Sequence, residues 1–168
     1  MLSFPDARTY IKEAFAVMVK ERFPSLDAVV GVATAGIAHA ALVGDHLGLP
    51  MAYARSAAKD HGTKSLIEGR LEASMKVVVI EDLISTGKSS IEVVKGIKSY
   101  GYEVIGMGAI FSYDFPVSTD AAANEGIIFY TLTDYNILIE VALEMNYIRK
   151  EDLELLKSWR KSPDTWGK

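Results

Sequence analysis

Five short apolar runs, most of them rich in β-branched residues, punctuate this chain, at 27–33, 50–55, 76–80, 103–111 and 126–132. "DAVVGVA" and "KVVVI" lack polar alternation, so those strands are expected to be covered on both faces. Helical periods fill most of the intervals. Ala7, Tyr10, Ile11, Ala14, Phe15 and Met18 recur at three- and four-residue steps before Pro24 and read as a core stripe. A small-residue helix runs from Ile37 to Leu47 and closes at Gly48. A third covers 88–100, with Ile91, Val94 and Ile97 inward, and two more cover 134–145 and 150–161. Residues 56–70 are polar without a period and read as a long mobile loop. Alternation of this kind predicts an α/β fold: a central, mostly parallel sheet flanked by helices on both faces, joined by right-handed crossovers. Ligands of such sheets sit beyond the carboxyl ends of the strands. Here those ends are 34–36, Arg55 and 81–90, all expected to be loops.

Bulk properties narrow the class. A chain of 168 residues, 49% hydrophobic and 24% charged, suits a single folded domain over 1–168. The absence of cysteine excludes disulfides and thiolate metal sites and is compatible with a reducing cytoplasm. A net charge of −4 argues against a broad basic face for nucleic acid. No signal-peptide pattern and no membrane-length apolar run are visible. A soluble cytoplasmic protein that meets neither nucleic acid nor membrane is expected.

The stretch "KVVVIEDLISTGKSS" (76–90) carries the chemistry. Gly87, Lys88 and Ser89 end like a nucleotide-triphosphate loop, but that pattern needs a glycine where Asp82 stands. A single phosphate fits better. Backbone N–H groups between a strand and a helix are unpaired and lie at a positive helix end. Ser85, Thr86, Ser89 and Ser90 add hydroxyls, and Gly87 can take a positive φ. Glu81 and Asp82 can accept hydrogen bonds from vicinal sugar hydroxyls, or help hold a hard divalent cation. The pattern therefore suits a sugar phosphate. The competing explanation is a plain helix-capping arrangement.

These residues resemble the phosphoribosyl pyrophosphate (PRPP) signature of the type I phosphoribosyltransferases: an apolar strand, two acids, two apolar residues and a Thr-Gly loop. Arg55, Lys59, Asp60, His61 and Gly62, in "ARSAAKDHGTKSLIEG" (54–69), resemble the mobile loop of orotate phosphoribosyltransferases. "VATAGIAHAALV" (32–43) and "LTDYNILIEVALE" (132–144) are similar to the same family, over nearly the whole chain. The resemblance implies the type I phosphoribosyltransferase fold. It implies transfer of phosphoribosyl from PRPP to orotate, giving orotidine 5′-monophosphate and pyrophosphate in pyrimidine biosynthesis, with Mg²⁺. By the same resemblance Glu81 and Asp82 hold the ribose hydroxyls, and Leu83, Ile84, Ser85, Thr86, Gly87, Lys88 and Ser89 hold the 5′-phosphate. Ser85 also touches orotate. Arg55 and the backbone of Thr34, Ala35 and Gly36 meet pyrophosphate. Lys59 and His61 close over the site, with Asp82 completing the catalytic group. Mg²⁺ rides mainly on PRPP, with Glu81 and Asp82 as further oxygen donors. A homodimer is implied, each loop reaching its partner's site.

The pattern also departs from the family. Members carry an N-terminal hood before the first helix, and here the chain opens at that helix, so the hood is expected to be absent. One branch places an arginine after the fourth strand, where this chain has "FSYDF" (111–115). The rival function is a PRPP-binding regulator without catalysis; Lys59 and His61 favour the enzyme. His39 and His46, on a helix pattern, are expected in packing or solvent, and Trp159 and Trp166 as packing anchors.

Overall fold

The computed structural model describes residues 1–55 and 66–166. Lys59 and His61 therefore lie outside the described residues. Six strands form one sheet: β1 (Ala28–Val32), β2 (Met51–Ala54), β3 (Ile67–Glu68), β4 (Lys76–Ile84), β5 (Glu103–Ser112) and β6 (Phe129–Asp134). Their order is β3-β2-β1-β4-β5-β6. All pairs are parallel except β2–β3. The helices are α1 (Pro5–Arg22), α2 (Ala35–Leu47), α3 (Lys88–Ser99), α4 (Pro116–Asn124), α5 (Tyr135–Glu144) and α6 (Lys150–Lys161).

Strand order decides where a site can form. From β1 the chain crosses outward to β2, and from β4 it crosses the opposite way to β5. Right-handed crossovers in opposite directions place their helices on opposite faces and open a crevice between the β1 and β4 carboxyl ends. Both faces are packed. Val77 and Val79 of β4 join α3 residues Ile91, Val94 and Ile97 in one core. Val78 and Ile80, pointing the other way, join Phe15 and Val19 of α1 and Ala40 and Val43 of α2. Period-two alternation with both faces covered explains the unbroken apolar reading of this strand.

Several boundaries differ from the sequence expectation, each for a physical reason. β4 does not stop at Ile80; pairing with β5 continues through Leu83↔Phe111 and Ile84↔Ser112, so the two acids lie within a strand and not in a loop. α2 begins at Ala35, two residues early. Part of the expected 56–70 loop is β3, a two-residue antiparallel edge beside β2. α4 is absent from the sequence reading because its small residues bury only Ser118 and Ala122 and carry no apolar period. Its markers were Pro116 at the helix start and Gly126 behind its end, where φ is +64°. That turn moves β6 from 126–132 to Phe129–Asp134. Tyr10 is not core: it is 73% exposed, and α1 buries Phe15, Ala16 and Val19. Trp166 is 42% exposed and is not an anchor, whereas Trp159 packs on Tyr113, Phe115 and Tyr135. No helix among the described residues is long and apolar enough to cross a membrane.

The contact between α1 and β5 is close. A Cβ at Gly106 would enter the Phe23 ring and approach the Ile128 carbonyl to 2.9 Å. Gly106→Ala should therefore cost about 1–3 kcal/mol through overpacking, read as a melting temperature lowered by roughly 2–10 °C in a chain of this size. An unchanged melting temperature would show that Phe23 moves aside freely.

Candidate functional site

The site grows from the carboxyl edge of β4. Successive side chains of a strand point to opposite faces, so Glu81 and Asp82 diverge. Glu81 faces α3 and is buried, 6% exposed, with Oε1 accepting a 2.9 Å hydrogen bond from Ser90 Oγ. Asp82 is half-buried on the side of His39 of α2 and acts on its charge. His39 is itself buried, which holds its pKa below the ordinary value against the pull of Asp82, while His46 is exposed. His39 packs in the interior and His46 faces outward.

Beyond Ile84 the chain turns through Ser85, Thr86 and Gly87 into α3. Gly87 stands at the helix N-cap with φ +76°, a conformation that side chains resist. No side chain caps this helix. The first-turn N–H groups, with the exposed Lys88 and Ser89, stay open toward an anion. By contrast, Asp134 caps α5 by accepting from the Asn136 and Ile137 N–H groups. The capping explanation for the two acids therefore fails: neither caps α3. Ser90 is a correction of another kind. Its hydroxyl is turned inward to Glu81 and is not offered to a phosphate.

The α2 N-terminus sits beside this edge. Thr34 is its N-cap and is exposed with Ala35, again with no side-chain cap. The Ala33–Thr34 peptide is cis. Gly36 is obligatory in this packing, since a Cβ there would lie 2.5 Å from the Ile80 carbonyl and 3.2 Å from Glu81 Oε2. Residues 34–36, the two acids and the 85–89 turn thus meet in the crevice between β1 and β4. Arg55 stands one strand further out, following β2. Its Nε lies 3.4 Å from Glu68 Oε1, and Tyr53 donates to Glu68 Oε2 at 2.5 Å. Arg55 is therefore an ion-pair residue of the β2–β3 edge.

A cavity of about 610 Å³ adjoins the turn at Ser85 and Thr86. Its far wall comes from the β5–α4 junction and the end of α6, including Tyr113, Phe115, Trp159 and Arg160. Apart from Ser85 and Thr86, these residues were not singled out as site residues, because only folding brings α6 back across a chain separation of 46 or 47 residues.

Burial costs the Glu81 carboxylate its hydration and pushes its pKa up to about 7; Asp82 adds repulsion, and the Ser90 hydrogen bond opposes both. The native protein then holds a proton that the unfolded chain releases near its ordinary 4.5. Stability from this group is complete below that value and lost as pH rises through about 7. Glu81→Gln keeps an acceptor for Ser90 and removes the titration. In thermal melts of the ligand-free protein it should be more stable than wild type at pH 8, by up to about 3 kcal/mol. The gap should close toward pH 4.5. Parallel pH profiles for the two proteins would show that the carboxylate is hydrated.

The structure now bears comparison with known proteins. Residues 9–126 match the model of the phosphoribosyl transferase domain. The orotate phosphoribosyltransferase of Enterococcus faecalis is 49% identical over 167 residues, covering 99% of this chain and 80% of that protein. Among solved structures, the UMP synthase of Leishmania donovani superposes with a TM-score of 0.81 at 20% identity, over 95% of this chain and 34% of that one. An orotate phosphoribosyltransferase from Aeropyrum pernix gives 0.77 at 24% identity, over 88% and 81%. At such identities the two structures speak for the type I phosphoribosyltransferase fold. It is the sequence relative, matched across nearly the entire chain, that gives the membership: this chain belongs to the orotate phosphoribosyltransferase family.

Proposed function

We propose that the protein transfers the phosphoribosyl group of PRPP to orotate, forming orotidine 5′-monophosphate and pyrophosphate for pyrimidine synthesis in the cytoplasm. One observation carries the assignment: at the β1–β4 crevice of a chain in this family, two strand-end acids adjoin an uncapped α3 N-terminus. Ribose hydroxyls would bond to Glu81 and Asp82, and the 5′-phosphate would accept from the N–H and hydroxyl groups of 85–89. Pyrophosphate would lie over Thr34, Ala35 and Gly36, within reach of Arg55 once it leaves Glu68.

Breaking the anomeric C–O bond puts positive charge on the ribose and negative charge on pyrophosphate. The Asp82 carboxylate offsets the first, and the cations Arg55 and Lys59 offset the second, with His61 a proton donor to pyrophosphate in this proposal. Orotate supplies its own ring nitrogen as nucleophile, so the residues need only orient it and exclude water.

The residues also fit Mg²⁺ in one limited way. No group of three or more potential metal ligands exists among the described residues, so a complete protein cage is lacking there. Magnesium keeps much of its water and is commonly held by substrate phosphates with one or two carboxylates, a role open to Asp82 and Glu81. When bound, Mg²⁺ supplies charge neutralisation of the pyrophosphate oxygens. We extend the proposal to a homodimer in which Lys59 and His61 act in the partner's site.

Orotate absorbance should fall when protein, PRPP and Mg²⁺ are mixed, and chelation by EDTA should stop the reaction. PRPP binding by calorimetry without turnover would point instead to a regulator. Asp82→Asn should lower turnover on the order of 100-fold while leaving the melting temperature nearly unchanged. Mixed dimers of Lys59→Ala and Asp82→Asn subunits should recover part of the activity, because one of their two sites is intact; no recovery in a verified mixed dimer rejects the exchange.

A further inference from the structure

The cavity beside Ser85 and Thr86 has a composition that the phosphate and ribose contacts do not explain. One wall is aromatic. Tyr113 and Phe115 stack with centroids 5.3 Å apart and planes 6° from parallel. Trp159 meets both edge-on, at 5.7 and 6.0 Å. At about 610 Å³ the space falls within the common range of small-molecule sites, roughly 300–1,000 Å³. Its charged lining is Arg160, Lys161 and Asp164, two cations against one acid.

Arg160 is the fixed member of that set. Nε donates to the Tyr113 carbonyl at 2.9 Å and Nη2 to the Asp114 carbonyl at 2.8 Å. Both acceptors belong to the "FSYDF" segment, which has no arginine of its own. Carbonyls orient a guanidinium without cancelling its charge, and among the described residues no carboxylate pairs with Arg160. The side chain is half-buried, so its orientation is held by the β5–α4 junction and not averaged in solvent. Lys161 is exposed and has no such bracing. The result is a braced planar cation lining an aromatic cleft whose wall also carries the Ser85 and Thr86 hydroxyls. That combination suits a flat ring bearing a carboxylate.

We infer that Arg160, reaching in from the last helix, is the specificity residue that binds the carboxylate of the pyrimidine substrate in this cleft. The inference rests on the proposed function, because orotate differs from uracil by that carboxylate and the base would sit against Ser85. The guanidinium's remaining N–H groups bond the carboxylate, the aromatic wall borders the ring, and Ser85 bridges the base and phosphate subsites. The energy of the charged contact then separates orotate from the uncharged base, which fills the same cleft and leaves Arg160 unmatched.

The test compares two nucleotides that share every group except the carboxylate: orotidine 5′-monophosphate and uridine 5′-monophosphate. Calorimetry on the wild type should show the first bound more tightly, on the order of 50-fold. Arg160→Gln should shrink the ratio to within about 5-fold, mainly by weakening orotidine 5′-monophosphate. Arg160→Lys, which keeps the charge, should restore part of it. Because both ligands are measured on one protein sample, loss of folded fraction cancels from the ratio. A wild type without preference, or a ratio unchanged by both substitutions, overturns the assignment, as does equal weakening of both nucleotides, which would make Arg160 a phosphate contact. Wild-type crystals soaked with orotidine 5′-monophosphate give an answer that needs no variant: the carboxylate within hydrogen-bond distance of Arg160 supports the inference, and its placement elsewhere ends it. Failure of the wild type to bind either nucleotide would instead remove the proposed function.

Discussion

The hydrogen bond from Ser90 to the buried Glu81 carboxylate ties the end of β4 to the first turn of α3, and the site is arranged around it. It links the strand end to the helix across the 85–87 turn. It also occupies the hydroxyl that would otherwise compete with first-turn N–H groups for an anion. Burying a carboxylate with a single side-chain hydrogen bond is unfavourable, and that burial pushes its pKa up. Gly36 completes the constraint, since only a residue without Cβ lets α2 approach the Ile80 carbonyl and Glu81 so closely.

Placement at the β1–β4 junction keeps the acids and the two helix N-termini apart yet adjacent. Helix N-termini without side-chain caps approach the crevice from both sides, α2 from one face and α3 from the other. The acids lie between them on the strand edge. A substrate that carries a phosphate at one end, pyrophosphate at the other and hydroxyls between matches this order of donors and acceptors. Arg55 is balanced within the protein itself. It rests against Glu68 on the edge strand, which stands in as its counter-ion.

Much of the candidate site was open to proposal from sequence because its residues are contiguous. Glu81 through Ser89 span one strand, one turn and one helix start, so local pattern and strand-end chemistry identify them together. Shorter elements were harder. β3 exists through pairing with β2, and α4 through packing against α3; neither has an apolar period of its own. Tyr10 shows the reverse error: it fits the helical stripe, yet the narrow face that meets the sheet leaves it exposed.

Alternating strands and helices were enough to determine an α/β sheet, and the acid pair before a Thr-Gly turn marked the strand end to inspect, because periodicity and backbone sterics act over a few residues. Tertiary structure alone decided that Ser90 turns inward, that Glu81 is buried, and that Arg160 crosses from the last helix to brace on the Tyr113 and Asp114 carbonyls. Those outcomes depend on distances between segments far apart in the chain, and burial and long-range hydrogen bonds come into being only when packing brings such segments together.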